Sequence, residues 1–371
     1  MQKVVLMALT LATVATCNVG IATAQLVTEA DIASPRTATS ESFLTGPPKE
    51  GGPVVVRVSF HLRDINDIDD EAETFEFGGV LTLTWHDERQ AFDPAAVGVD
   101  EKVYQGAYQF NEVFDGWFPQ VVLVNESGLY EKHGVVLRVQ SDGAMTLVET
   151  VNAAAETDLD MRRYPFDRQR LEAIFEVLGF DKDEVVLRAE SGSTGSPKND
   201  DHVVSIPQWS ITDISTSTRD RHAPHAGSRG VVSAFVVSID LRRKSFFTLR
   251  LVVVPLIFLV MLSWSVFWMD RSSLGDRISV SFIVILTIVA YQLVVSDLLP
   301  RISYATLMNA FLNISFYLMC ATVVINLVVS WLDRRGRSEV GDRVDFRCRW
   351  IFPVTYFGLV LLAVGTAFQF S

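Results

Sequence analysis

One stretch decides how the second half of this chain is built. It reads Gly275-Asp276-Arg277-Ile278-Ser279-Val280-Ser281-Phe282-Ile283-Val284-Ile285-Leu286. After its two charges, the chain continues without another charged residue as far as Ser296. A helix of about 20 predominantly apolar residues spans the hydrocarbon core of a bilayer. The stretch therefore predicts the start of a membrane helix.

Residues spaced alternately by four and three form one stripe along this helix. The stripe consists of Ser279, Ile283, Leu286, Ala290, Leu293 and Asp297. Spacing alone is equally compatible with a lipid-facing or bundle-core stripe and with the lining of a pore. Asp276 before the stripe and Asp297 at its end favour the pore, because carboxylates at a channel mouth attract cations.

Four apolar runs follow residue 245, and we expect each to cross the membrane. They cover about residues 247–269, 278–295, 305–332 and 349–370. The loop between the last two, together with the first residue of the fourth run, carries six arginines, and such an excess marks the cytoplasmic side. The sequence therefore predicts a membrane domain at residues 246–371 whose C-terminus lies outside the cytoplasm.

The N-terminus has the features of a secretory signal. Lys3 precedes the apolar run Val4–Val14, and Ala22-Thr23-Ala24 is a small-residue cleavage site. The expected segments are a signal at residues 1–24, a flexible lead-in at 25–52 and an exported domain at 53–245. The exported domain contains no cysteine, so packing rather than disulfides must stabilise it.

The exported domain shows short alternating apolar runs separated by turn signals. Examples are Val54–Phe60, Val80–Trp85, the hairpin Val135–Val148 and Val231–Ile239. Such runs, without a helical period, predict an all-β sandwich of the immunoglobulin type. The all-α membrane domain would follow it.

The distribution of charge excludes several classes of protein. Residues 25–245 hold 37 Asp and Glu against 21 Lys and Arg, whereas residues 246–371 hold 7 against 10. This acidic balance argues against a nucleic-acid-binding protein. The chain has no G-x-S-x-G, H-E-x-x-H or phosphate-binding glycine motif. We therefore expect neither an enzyme nor a cofactor or metal site.

Three motifs occur in a characteristic order. They are Trp85-His86-Asp87-Glu88-Arg89, Trp117-Phe118-Pro119, and residues 158–167 with the core Tyr164-Pro165-Phe166-Asp167. The set resembles the W-x-D-x-R, W-x-P and signature-loop motifs of pentameric ligand-gated ion channels, the Cys-loop receptor superfamily. The resemblance covers about residues 53–371 and implies a homopentamer whose second span lines the pore.

The resemblance is to the bacterial, disulfide-free branch of this family. Thr157 and Leu171 stand where animal members have the two loop cysteines. Glu71–Phe75 and Ala91–Pro94 look like the proton-gated members, and Glu73 aligns with a carboxylate linked to proton sensing. The resemblance implies a multi-pass protein of a bacterial inner membrane, with the exported domain and the C-terminus in the periplasm.

For the pore, the resemblance implies a channel for monovalent cations. Rings of Ile283 and Leu286 would form an apolar constriction that excludes water until the helices tilt apart. Asp276 at the cytoplasmic mouth would concentrate cations and repel anions. The adjacent Arg277 occupies a basic position that, in the family, usually points away from the pore.

The family pattern also implies a coupling cluster between the two domains. Arg243 would meet Asp167 of the signature loop and Asp70 of an earlier loop, because a desolvated arginine requires such partners. A plain interfacial anchor is the alternative interpretation of this basic segment. The cluster would push on the loop between the second and third spans. Further residues expected to take part are Pro165, Pro300 and Arg301.

The candidate agonist residues do not point to a single ligand. They are Glu176, Leu178, Phe180, Arg219, Arg221 and His222. With so few aromatic residues, we do not expect a cage for a quaternary amine. A small carboxylate and protons sensed through Glu73 remain as stimuli, although an ordinary exposed acid is an equally good interpretation of Glu73.

The main alternative is a membrane-anchored periplasmic binding or sensory protein that does not conduct. Its cytoplasmic loops would be too short for a signalling domain, and the stripe of the second span would be unexplained. The sequence therefore favours a cation-selective channel in the lipid bilayer, opened from the periplasm by protons or a small ligand.

Overall fold

The computed structural model describes residues 46–48, 51–190, 206–223, 230–269, 274–296, 299 and 301–369. All of them belong to one unit of the chain, Leu44–Ser371. The expected signal at residues 1–24 and most of the lead-in lie outside the described residues. The same is true of two predicted site residues, Asp297 and Pro300.

Ten strands form two sheets in the described part of the first domain. The strands are β1 Val54–Asp69, β2 Thr74–His86, β3 Glu101–Gln105, β4 Val121–Leu123, β5 Glu126–Gln140, β6 Ala144–Glu156, β7 Arg168–Val177, β8 Val185–Ala189, β9 Trp209–His222 and β10 Val231–Arg243. One sheet has the order β3-β5-β6-β2-β1-β8 and the other β4-β7-β10-β9. This architecture confirms the predicted β-sandwich.

The alternation of apolar residues in the sequence becomes the core of the sandwich. In β6, Met145, Leu147 and Val151 are buried, while the residues between them on the other face are partly exposed. Phe60 of one sheet packs on Phe175 of the other, with ring centroids 5.7 Å apart. Interdigitating side chains of this kind stabilise two packed sheets without a covalent link.

The W-x-D-x-R motif closes the end of β2. Asp87 is fully buried, and both of its carboxylate oxygens accept hydrogen bonds from the Arg89 guanidinium at 2.8 Å. Gly143 faces this turn with a φ of +86°, and a Cβ there would lie 2.5 Å from the Asp87 carbonyl oxygen. Only glycine fits so close an approach at such a φ.

In the described part of the chain, four helices long and apolar enough to cross a membrane follow the sandwich. They are Phe246–Trp268, Leu274–Ser296, Leu307–Arg334 and Ser338–Gln369. This confirms the predicted all-α membrane domain. The first helix contains a π-helical turn, Leu249–Val253, which ends two residues before Pro255. Because proline cannot donate a backbone hydrogen bond, the regular α-helical ladder is interrupted at this point.

The fourth helix begins at Ser338, earlier than the apolar run that starts at residue 349. Its first turns contain Glu339, Asp342 and Arg343, which are compatible with a helix but are not apolar. Hydropathy identifies the part of a helix that suits hydrocarbon, and not the whole helix. The charged first turns place Asp345 inside the helix, beside the start of the second helix.

Candidate functional site

The second membrane helix, Leu274–Ser296, has one exposed and one buried side. Every described member of the predicted stripe is exposed in the single subunit, namely Ser279, Ile283, Leu286, Ala290 and Leu293. Leu286 is 72% exposed, the most of the three large apolar members. On the opposite side, Val284, Ile288 and Val295 are buried against the other helices. The helix therefore holds the apolar stripe away from its own bundle.

The two opposite charges at the start of this helix point in different directions. Asp276 is exposed, whereas Arg277 is 2% exposed. The terminal nitrogens of Arg277 donate to both carboxylate oxygens of Asp345, at 3.1 and 3.2 Å. Arg277 also donates to the amide oxygen of Asn326 at 3.3 Å. This cluster joins the second, third and fourth helices, and we call it the inner cluster.

A second buried arginine lies between the sandwich and the membrane helices. Arg243 ends β10, and its Nε donates to the two carboxylate oxygens of Asp167 at 2.9 and 3.2 Å. Its terminal nitrogens contact both carboxylate oxygens of Asp70 at 2.9 and 3.0 Å. The structure thus brings together the three residues of the expected coupling cluster, which we call the outer cluster.

Two aromatic rings enclose the Arg243 guanidinium. It lies 4.0 Å from the ring centroid of Trp209 and 4.9 Å from that of Tyr164. Cation–π contacts of this kind are strongest where water is excluded. Burial alone would lower the pKa of Arg243, but hydrogen bonds and charge from Asp70 and Asp167 raise it above the usual value for arginine. Arg243 therefore stays charged at any pH the protein meets.

The signature loop, residues 158–167, contacts three of the four membrane helices or their flanks. The hydroxyl of Ser245, just before the first helix, donates to the Pro165 carbonyl at 2.7 Å. The backbone N–H of Leu307, which begins the third helix, donates to the Arg162 carbonyl at 2.8 Å. Arg163 donates to the Ala367 carbonyl near the end of the fourth helix at 3.1 Å.

The linker between the second and third helices meets the same loop through Tyr304. The Tyr304 hydroxyl donates to the Leu159 carbonyl at 3.0 Å and accepts from the Met161 N–H at 3.0 Å. Arg301 lies exposed on this linker, and Pro300 lies outside the described residues. A direct hydrogen-bonded contact therefore joins the signature loop to the linker.

Glu73 occupies the turn between β1 and β2 with an unusual backbone conformation. Among the described residues, Glu73 is the only one other than glycine with a positive φ, which is +55°. The Glu73 carbonyl accepts a hydrogen bond from the Thr157 N–H at 2.9 Å, and its side chain is partly exposed. The turn is thus attached to the segment that leads into the signature loop.

The charged agonist-site candidates form ion pairs on the outer face of the second sheet. Arg221 donates to Glu176 at 2.8 Å, and this carboxylate is only 5% exposed. Arg219 contacts Glu172 at 3.1 Å instead. The structure therefore brings Glu176 and Arg221 together, while Arg219 belongs to a separate pair.

The remaining agonist-site candidates do not form an aromatic cage within the described part of one subunit. Phe180 packs edge-on against Trp117, with ring centroids 6.1 Å apart. Leu178 and His222 are exposed. Among the described residues, no group of three His, Cys, Asp or Glu side chains is arranged to hold a metal ion.

Several important side chains were not found from the sequence. Trp209 lies opposite Arg243 only because β9 pairs with β10 in this register. Asp345 meets Arg277 across 68 residues of sequence through helix packing. Tyr304 had no signal beyond its position in a linker. Strand register and helix packing decide these contacts, and neither follows from local residue patterns.

The comparisons with known proteins agree with this architecture. The ligand-binding domain of neurotransmitter-gated ion channels matches residues 42–245, and the transmembrane region of the same channels matches residues 252–340. The chain is 27% identical over 310 residues to a proton-gated ion channel of Gloeobacter violaceus, covering 84% of this chain and 82% of that protein.

Human receptor subunits are also similar. The chain is 26% identical over 309 residues to the gamma-aminobutyric acid receptor subunit rho-3 of Homo sapiens, covering 82% of this chain and 63% of that protein. It is 26% identical over 319 residues to the human rho-1 subunit, covering 83% of this chain and 62% of that subunit. The chain therefore spans less than two thirds of the length of these two subunits.

The first family match alone covers more than half of the chain, and the second continues it through the first three membrane helices. The resemblance drawn from the motifs is confirmed, as is the prediction that the protein is not an enzyme, because the family consists of ion channels. The protein is a multi-pass membrane protein. The chain belongs to the neurotransmitter-gated ion-channel family, the pentameric ligand-gated ion channels.

Proposed function

We propose that the chain forms a homopentameric, cation-selective channel that is opened from the periplasmic side by protons or a small ligand. In this proposal residues 1–24 are a cleaved signal, residues 53–245 are periplasmic, and residues 246–371 cross a bacterial inner membrane. The observation that carries the proposal is the exposed stripe of the second helix, which begins beside the exposed Asp276.

A pore explains this stripe better than contact with lipid. Lipid would cover Ile283, Leu286 and Leu293, but it would not favour the hydroxyl of Ser279 or the carboxylate of Asp276 on the same side. Around a central axis, the apolar residues would instead form a constriction that is too dry for a hydrated ion. Tilting of the helices would let water enter, and current would flow.

The charges at the cytoplasmic mouth support selection of cations. Asp276 is exposed, while the adjacent Arg277 is buried in the inner cluster. A ring of carboxylates raises the local concentration of cations and repels anions. Because some relatives are receptors for gamma-aminobutyric acid and one is a proton-gated channel, the relatives do not decide ion selectivity for this chain.

Two stimuli have separate support. Glu73 and the similarity to a proton-gated channel support protons. The buried Glu176 paired with Arg221 supports a small ligand with both an amine and a carboxylate, since each ligand group would replace one partner of the ion pair. In both cases the outer cluster and the signature loop would transmit the change to the linker that carries Tyr304.

The test is a recording of current during a step to acidic pH and during application of small amino acids. The reversal potential in a NaCl gradient gives the ion selectivity. We expect evoked current that reverses near the sodium potential, and a weaker cation preference for Asp276→Asn. Reversal near the chloride potential, or an unchanged preference in that variant, would contradict the proposed selectivity. Absence of current with every stimulus would favour a binding protein that does not conduct.

A further inference from the structure

The inner cluster explains how two adjacent residues of opposite charge at the proposed cytoplasmic mouth can act separately. Asp276 and Arg277 are adjacent and opposite in charge. If both side chains faced the mouth, the positive charge would largely cancel the field of the carboxylate at short range. Selection of cations by Asp276 therefore requires that Arg277 is held elsewhere.

The structure shows how Arg277 is held. Its side chain is 2% exposed, and its two terminal nitrogens meet both carboxylate oxygens of Asp345, which belongs to the fourth helix. Asn326 of the third helix accepts a further bond from Arg277 and donates to the Ser281 hydroxyl at 2.8 Å. Asn326 and Ser281 are polar but uncharged, and the anionic partner of Arg277 in this cluster is Asp345.

We propose that Asp345 is a positioning residue for charge selection. It holds the Arg277 guanidinium behind the pore helix and neutralises it, so that Asp276 acts on the mouth without compensation. This inference rests on the proposed role of Asp276 in a cation-selective pore. Asp345 itself lies in the helix bundle, 5% exposed, and does not touch the permeating ion.

The physical reason is the cost of an unpaired charge in a bundle. A buried arginine that loses its carboxylate is strongly destabilised. Its long side chain has an alternative, because arginines near the end of a membrane helix extend their charged group towards water. Asp276, the residue next to Arg277 in the first turn of the second helix, is exposed at the proposed mouth. Loss of Asp345 would therefore deliver a positive charge to the site that selects cations.

Charge counting makes the consequence specific. Asp276, Arg277 and Asp345 together carry a net charge of −1 per subunit. Asp345→Asn makes this sum zero and frees Arg277. The double variant Arg277→Met with Asp345→Leu removes both buried charges, keeps the sum at −1 and fills the site with apolar side chains. Such replacement of a buried ion pair is often tolerated.

The experiment measures the ratio of sodium to chloride permeability from reversal potentials. For Asp345→Asn we expect this ratio to fall by roughly threefold to tenfold, because the freed positive charge would oppose the field of Asp276 at the mouth. Asp345→Glu, which restores the charge, should return the ratio towards the wild-type value. The double variant should retain the wild-type ratio.

The matched control is Asp342→Asn, which removes the same charge one turn earlier on the same helix from an exposed position. It should leave the permeability ratio unchanged. An unchanged ratio in Asp345→Asn, with altered expression or gating only, would overturn the proposal, because it would leave Asp345 a purely structural role. A lowered ratio in the double variant would overturn it too, because Asp345 would then act directly on ions.

Two further measurements keep the test decisive. If Asp345→Asn does not assemble alone, co-expression with wild-type subunits gives mixed channels. Their sodium-to-chloride permeability ratio should fall as the share of the variant rises.

Asp276→Asn tests the proposed function separately. If that variant keeps its selectivity, the filter assignment fails whatever Asp345 does. If it loses selectivity while Asp345→Asn does not, only the present inference fails.

Discussion

The outer and inner clusters are both built around a buried arginine, but they differ in composition. Arg243 meets two carboxylates and two aromatic rings, whereas Arg277 meets the single carboxylate of Asp345 and the amide of Asn326. The Nε of Arg243 is bonded to Asp167. The Nε of Arg277 has no hydrogen-bond partner among the described residues.

The difference shows what each cluster is suited to do. The outer cluster joins elements of the sandwich, at the end of β1, before β7 and at the end of β10, directly above the first membrane helix. Its two carboxylates carry one more charge than Arg243 can neutralise. A movement of either loop therefore changes how the positive charge of Arg243 is shared between Asp70 and Asp167. The charges of Arg277 and Asp345 in the inner cluster are equal and opposite, and the cluster lies within the helix bundle. These properties suit a contact that stays the same in every state of the channel. We therefore propose that the outer cluster acts in gating and that the inner cluster acts indirectly in charge selection.

Arg243→Gln should have the largest effect on gating. It leaves Asp167, which is 1% exposed, without its cation, and breaking a buried pair costs about 3–5 kcal/mol. We expect evoked current per surface channel to fall by more than about a hundredfold, since each 1.4 kcal/mol is about tenfold. Arg242→Gln, at the exposed neighbouring position, is the control. A wild-type response in Arg243→Gln would remove the outer cluster from the coupling mechanism.

Leu286→Thr tests the proposed apolar constriction on the exposed stripe of the second helix. A hydroxyl on the exposed stripe eases the entry of water, so we expect a leak or a shift of about tenfold towards weaker stimuli. The reversal potential should not change, because neither cluster is touched. Val284→Thr, on the buried side of the same helix, should leave activation near wild type. An unchanged response in Leu286→Thr would contradict the assigned pore face.

Asp167→Asn and Asp70→Asn compare the two acids of the outer cluster. The Asp167 side chain is 1% exposed and that of Asp70 is 21% exposed, and ion pairs gain strength as water is excluded. We expect the half-activating stimulus to shift at least about threefold more for Asp167→Asn than for Asp70→Asn. Equal shifts would mean that the cluster responds to its net charge and not to its geometry.

Glu73→Gln should have the smallest effect. The Glu73 side chain is partly exposed, so its charge is well screened by water. If Glu73 senses protons, the half-activating pH should differ measurably from the wild-type value, because one carboxylate of several is lost. Glu76→Gln, an exposed acid on β2, controls for the change in net charge. Indistinguishable pH responses would leave Glu73 an ordinary surface acid.

The outer cluster limits how a change of pH can affect gating, because Arg243 keeps its charge. The pKa of Arg243 is raised by Asp70 and Asp167, so the cationic form is favoured in the folded protein and would be lost only as pH rises through that pKa. Acidification therefore never discharges Arg243. A proton effect on gating must come from groups other than the Arg243 guanidinium.

Much of the fold was predictable because it depends on local repetition. Alternating runs such as Val54–Phe60 predicted strands, and the four apolar runs predicted the membrane helices. The motif resemblance predicted that Arg243 would meet Asp70 and Asp167. The position of Trp209 was not predictable, because it depends on the register between β9 and β10. Asp345 was missed as well, since its helix begins at Ser338 and the apolar run that predicted this helix begins only at residue 349.

Residue order alone specified which segments are sheet and which are membrane helix, which side of the second helix is apolar, and where opposite charges stand next to each other. These properties follow from period, length and composition. Tertiary packing determines that Asp276 is exposed while Arg277 is buried against Asp345. It also places Arg243 between two aromatic rings. A buried charge takes whichever partner the packing brings within hydrogen-bond distance, and that partner is distant in sequence.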